Sequence, residues 1–104
     1  MSNQKQIITS PAALKELPVY ARSLLWYIFE QKEKTEESHY LELEVISDED
    51  GKTFQKITHT CEIPQYYKDY SFLDGAPIDA KVVIKVDNSG ICTMMLESEM
   101  ERAN

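Results

Sequence analysis

Two short segments, Glu49-Asp50-Gly51 and Asn88-Ser89-Gly90, each divide a pair of alternating apolar and polar runs. Each ends in glycine, where a three-residue hairpin loop needs a left-handed residue. Such a loop sets the strand register, and the register sets which side chains meet. With Asp48 paired to Lys52, Ile46 falls opposite Phe54, Glu44 opposite Lys56 and Leu43 opposite Ile57. A two-residue Asp50-Gly51 turn would instead set Val45 against Lys56 and Glu44 against Ile57, so the longer loop is preferred. In the second hairpin Val86 meets Cys92, Ile84 meets Met94 and Val82 meets Leu96. On its other face Val83 meets Met95 and Lys81 meets Glu97.

Before the hairpins lies an apolar helical stretch. Ser10-Pro11 reads as a cap residue followed by proline at the first helical position. Ala12 to Leu17 forms a short first helix or turn. Pro18 opens the main helix, expected over about 18–34. Leu17, Ala21, Leu24, Leu25, Ile28 and Phe29 recur at helical spacing and face the core. Glu30 and Lys34 form an i,i+4 pair in the favourable order. Residues 1–9 read as an ordered edge or an arm. Residues 98–104 are polar and expected to fray. Ile63 to Pro77 reads as an irregular aromatic segment, with room for one short strand near Tyr70 to Leu73.

These elements give one α+β domain over 1–104. Its N-terminal helical segment packs on a mainly antiparallel sheet of four or five strands built from two hairpins. The expected core is Leu24, Leu25, Ile28, Leu41, Leu43, Val45, Ile57, Val82, Ile84, Val86, Met94 and Leu96.

Charge narrows the function. The net charge is −7, and residues 30–50 carry all of it, with nine acidic side chains against two basic ones. A phosphate backbone would be repelled there, so no nucleic-acid partner is expected. The acidic segment is a solvated surface or a docking face for a basic partner. The longest apolar run, Leu24 to Phe29, is far short of the roughly 20 residues that span a bilayer. No signal region or lipidation motif stands at the start. No membrane association and a cytoplasmic location are therefore expected, with Cys61 and Cys92 as small buried thiols rather than a disulfide.

Chemistry-bearing residues are few. The first hairpin register, extended, places His39 opposite Cys61, with His59 two residues away on the same face. Two imidazoles and a thiol suit zinc, and Cys92 supplies a fourth ligand only if its strand lies alongside. His39, His59 and Cys61 are therefore weak metal candidates, and no bound metal or cofactor is the first expectation. His59 with Cys61 also has the make-up of a base and nucleophile, without an assignable oxyanion donor. Asp48-Glu49-Asp50-Gly51 fails as a calcium loop, because Ile46 and Ile57 occupy the positions that need acids. Ile46, Phe54, Val83 and Met95 point away from the helix. If the hairpins are adjacent they form an apolar patch, covered by the arm or the aromatic segment or else used for a partner.

The run Ile57-Thr58-His59-Thr60-Cys61-Glu62-Ile63-Pro64-Gln65-Tyr66, with Lys81 to Val86 and Thr93-Met94-Met95-Leu96-Glu97-Ser98-Glu99, resembles a family of small bacterial proteins. That family is domain of unknown function 960, found mainly in Firmicutes and their phages. Leu24-Leu25-Trp26 and Tyr40-Leu41-Glu42 are similar too, so the resemblance covers nearly the whole chain. Members tend to carry glutamine at the position of Cys61, which argues against catalysis by that thiol. The resemblance implies no activity. It singles out His59, Glu62, Pro64 and Tyr66, as a proline-ended strand whose polar tip is pinned by tyrosine.

The leading expectation is a non-enzymatic protein-interaction or regulatory module that binds a protein partner or forms a homodimer. The alternative is a small-ligand or metal-binding protein using His39, His59 and Cys61. More remote are a weak enzyme using His59 and Glu62, and an acidic nucleic-acid mimic. Nitrogen and sulfur atoms of His39, His59 and Cys61 within about 4 Å of one another would favour the metal reading.

Overall fold

The computed structural model describes residues 7–31, 38–62, 65–72 and 76–102. Among them the order is β1 (Ile7–Thr9), α1 (Pro11–Glu16), α2 (Val19–Glu30), β2 (Ser38–Ser47), β3 (Thr53–Cys61), β4 (Tyr66–Phe72), β5 (Ala80–Val86), β6 (Cys92–Leu96) and α3 (Glu97–Arg102). The strands form a single six-stranded sheet in the order β1-β6-β5-β2-β3-β4. All pairings are antiparallel except β1 with β6. The fold is thus α+β, with more strands than the two hairpins supply and one parallel pair. The two extra strands are β1, which could not be told from an arm, and β4, which replaces the expected irregular segment.

Both hairpins take the registers their turns dictate. In the first, Ile46 pairs with Phe54, Glu44 with Lys56 and Leu43 with Ile57. Gly51 has φ +80° and its N–H donates to the Asp48 carbonyl at 3.1 Å. In the second, Val86 pairs with Cys92, Ile84 with Met94 and Val82 with Leu96. Gly90 has φ +85° and its N–H donates to the Asp87 carbonyl at 3.0 Å. Asp48 and Asp87 add the same local brace, each accepting two backbone N–H bonds from its own loop at 2.8–2.9 Å.

The two hairpins join through β2 and β5, with Leu41 opposite Val82 and Tyr40 opposite Val83. Side chains of one parity then face α1 and α2. Leu41, Leu43, Ile57, Val82, Ile84, Cys92 and Met94 pack there against Ala13, Leu17, Ala21, Leu25, Ile28 and Phe29. Leu24, Val86 and Leu96 are only partly buried against this core, and Val45 is 37 % exposed rather than buried. Val45 sits beyond the last residue pair of β5, where no strand flanks it on that side.

Helix α2 is shorter than the expected span of about 18–34. It ends at Glu30, with Gln31 as its C-cap. Lys34, and with it the Glu30–Lys34 pair, lies outside the described residues. Helix α1 begins as expected, with Ala13 N–H donating to Ser10 Oγ at 3.1 Å and proline in the first turn.

Residues 97–102 do not simply fray, while 103 and 104 lie outside the described residues. Glu97 leaves the sheet, so the expected Lys81–Glu97 pair is not formed, and α3 begins there. Glu99 Oε1 accepts from the Leu96 N–H at 2.8 Å and from Ser10 Oγ at 2.7 Å. One carboxylate thus caps α3 and ties it to the start of α1.

Gln55 is the other long-range tie. It is 1 % exposed within the sheet. Its Nε2 lies 3.0–3.2 Å from the Glu44, Lys56 and Ile78 carbonyls, and its Oε1 accepts from the Ile78 N–H at 2.8 Å. It thereby fastens the segment that leads into β5 onto the first hairpin.

Candidate metal centre

Three donor residues stand on adjacent strands of the first hairpin. His39 opens β2, and His59 and Cys61 close β3. The Tyr40–Thr60 pair sets His39 across from Cys61 in the next position. The alternation of the pleat turns all three toward the helices. Each is buried, at 0 %, 0 % and 3 % exposure.

Their donor atoms form a closed triangle. His39 Nδ1 lies 3.0 Å from His59 Nε2 and 3.3 Å from Cys61 Sγ. Cys61 Sγ lies 3.9 Å from His59 Nε2. The two shorter contacts share His39 Nδ1, and the third closes the triangle. Donors around a single zinc-like ion, about 2.0–2.3 Å from it, stand roughly 3.3–3.7 Å from one another. The observed edges bracket that range.

The walls are aromatic. Phe29, near the end of α2, meets the His39 ring edge-on, with centroids 4.7 Å apart. Tyr66, at the start of β4, meets the His59 ring at 5.1 Å, also edge-on. Trp26 packs against Phe29 from behind at 5.8 Å. The Phe29 and Tyr66 rings thus pack against the two imidazoles.

Other residues singled out from sequence fall elsewhere. Cys92 is buried on β6, two strands away from β2 across β5, about 10 Å in lateral spacing alone. It is not the fourth ligand. Glu62 is exposed and lines the opposite face of the sheet with Tyr40, Thr58 and Thr60, whereas His59 points into the core. The sheet separates the two, so they make no acid–base pair. Pro64 lies outside the described residues.

The outer face holds an open groove of about 900 Å³, lined by Tyr40, Glu42, Thr58, Lys81, Lys85 and Met100 among others. Burial and the nearby Glu62 carboxylate push the Tyr40 phenol above its ordinary range. The expected apolar patch on this face is not continuous. Val83 is completely buried, and α3 packs on β5 and β6. Ile46 and Phe54 lie at the loop end of their hairpin, six residues along β2 from the Tyr40 that pairs with Val83, or about 20 Å.

Leu17, Ala21 and Phe29 were legible as core from helical spacing, but Gln55 was not. Its polarity hid it, and the only available signal was its place in the inward parity of β3, between Thr53 and Ile57.

No helix among the described residues is long and apolar enough to cross a membrane. In comparisons with known proteins, no family model, curated protein or solved structure matches this chain.

Proposed function

We propose that this chain is a small metal-binding protein centred on His39, His59 and Cys61. The observation that carries the reading is the closed triangle of donor atoms, 3.0, 3.3 and 3.9 Å on its edges, in a fully buried setting. Thiolate and imidazole together favour borderline and soft transition metals over calcium or magnesium. Burial weighs against the same residues as a hydrolytic pair, because a thiol that is 3 % exposed offers a substrate little surface to reach. The interaction-module reading drew on the acidic segment 30–50, the lack of catalytic motifs and an apolar outer face; of these, the outer face loses support, because Val83 is covered while Ile46 and Phe54 stand apart.

Native mass spectrometry of the full chain after loading with Zn(II) or Cu(I) tests the reading. One metal per chain, removed by a chelator and absent from Cys61→Ser, is the expected result. A metal-free mass after both loadings would overturn it.

A further inference from the structure

A buried centre has to be reached from solvent, and the walls differ in how readily they move; this step rests on the metal-binding reading above. His39, His59 and Cys61 are 0 %, 0 % and 3 % exposed, so an ion enters or leaves only when a neighbour shifts. Two rings border the imidazoles, Phe29 against His39 and Tyr66 against His59.

The fold holds these two rings unequally. Phe29 is completely buried on α2, beside the equally buried Ile28, and Trp26 packs edge-on against it. Displacing it would open the helix–sheet core. Tyr66 is half-buried and is the first residue of β4, which stands at one end of the sheet order. It pairs with Cys61 in the last rung of the β3–β4 ladder. Gln65 and Tyr67 on either side of it are exposed, as are Lys68 and Asp69. Strand ends with little buried surface open locally far more often than core elements do. Unpairing that one rung draws the ring away from His59 and the β4 backbone away from Cys61.

We infer that Tyr66 is the gate of the centre: metal enters and leaves as the first rung of β4 opens. The ring holds the closed form alike with and without metal. Such a gate sets rates and not affinity, because entry and release slow by the same factor.

The test is stopped-flow uptake and release of Zn(II) by the full chain, read with a chromophoric chelator, for the parent, Tyr66→Ala and Tyr67→Ala. An edge-on ring contact favours a closed form by about two- to tenfold, so Tyr66→Ala should speed uptake and release alike by about that factor, with the dissociation constant unchanged. Tyr67→Ala removes a 65 % exposed ring from the other face of the same strand and should keep the parent rates. Faster release with uptake unchanged would make Tyr66 a support for His59 and would overturn the gate. Parent rates in Tyr66→Ala would overturn it as well, and so would equal acceleration in Tyr67→Ala. Where Tyr66→Ala fails to fold, Tyr66→Leu keeps an apolar side chain without the ring, and the same acceleration is expected. A parent that takes up no Zn(II) would overturn the gate, and its mass after Cu(I) loading then decides the metal reading separately.

Discussion

Replacing Gln55 with leucine removes the buried amide while keeping most of its volume. The side chain makes four contacts of 2.8–3.2 Å, three from Nε2 and one to Oε1. Nε2 has two protons, so two full bonds and one shared contact leave it, and Oε1 receives one more. About two net hydrogen bonds are lost from Nε2, each worth roughly 0.5–1.5 kcal/mol. The Ile78 N–H, half-buried, is left without its acceptor, at about 1–3 kcal/mol. Burying leucine instead returns roughly 1.5–3 kcal/mol. The balance is a loss of about 2 kcal/mol. At about 4–8 °C per kcal/mol for a domain of this size, the midpoint of thermal unfolding should fall by roughly 8–16 °C. Urea unfolding followed by Trp26 fluorescence measures it, with Val45→Ala, at a 37 % exposed site on the same face, as the mild control. A Gln55→Leu protein within about 0.5 kcal/mol of the parent would refute the reasoning. It would mean that the segment at Ile78 is held by apolar packing and not by the amide.

Metal loading should raise the unfolding temperature. Metal at a hundredfold excess over its dissociation constant adds about 2.7 kcal/mol, or roughly 10–20 °C here, and the gain should shrink as pH falls, because protons compete for Cys61 and the imidazoles. Differential scanning calorimetry at several pH values, with His59→Asn as control, checks this; an equal gain in the variant would place the metal elsewhere. The Tyr40 phenol titrates above its ordinary value of 10.0 in the folded protein, chiefly through burial and then through Glu62. Its contribution to stability is therefore complete below that pH and is lost as pH rises through the folded value. Urea midpoints above pH 10 should fall less steeply in Tyr40→Phe than in the parent, and identical slopes would count against this assignment. Glu99→Ala should cost about 1–2 kcal/mol and speed amide exchange and proteolysis in α3, while Glu99→Gln, which keeps an acceptor, should recover much of the loss.

Local chemistry was legible wherever a few neighbouring residues decide the outcome. Ser10-Pro11 starts α1, because a cap oxygen and a fixed φ act within one turn. Gly51 and Gly90 end their loops with positive φ, and from those two angles follow both hairpin registers. The meeting of His39 with Cys61, and the same-face placement of His59, are consequences of the first register alone. That much of the candidate centre belonged to the sequence by itself.

What surrounds the hairpins depended on contacts between distant segments. Ile7–Thr9 becomes a strand because β6 offers it a parallel edge, a pairing that three residues cannot signal. Tyr66–Phe72 becomes a full strand because β3 lies open beside it, although Lys68 and Asp69 interrupt any clean alternation. Those same charges blunt the outer edge against further pairing. The polar tail becomes α3 because Glu99 finds Ser10, 89 residues earlier in the chain. Burial of the triad was decided in the same way. Register alone would have left His39 and His59 side by side on a wet surface. Phe29 from α2 and Tyr66 from β4 enclose them, and a polar cluster becomes a candidate metal centre only once the tertiary structure has taken the water away.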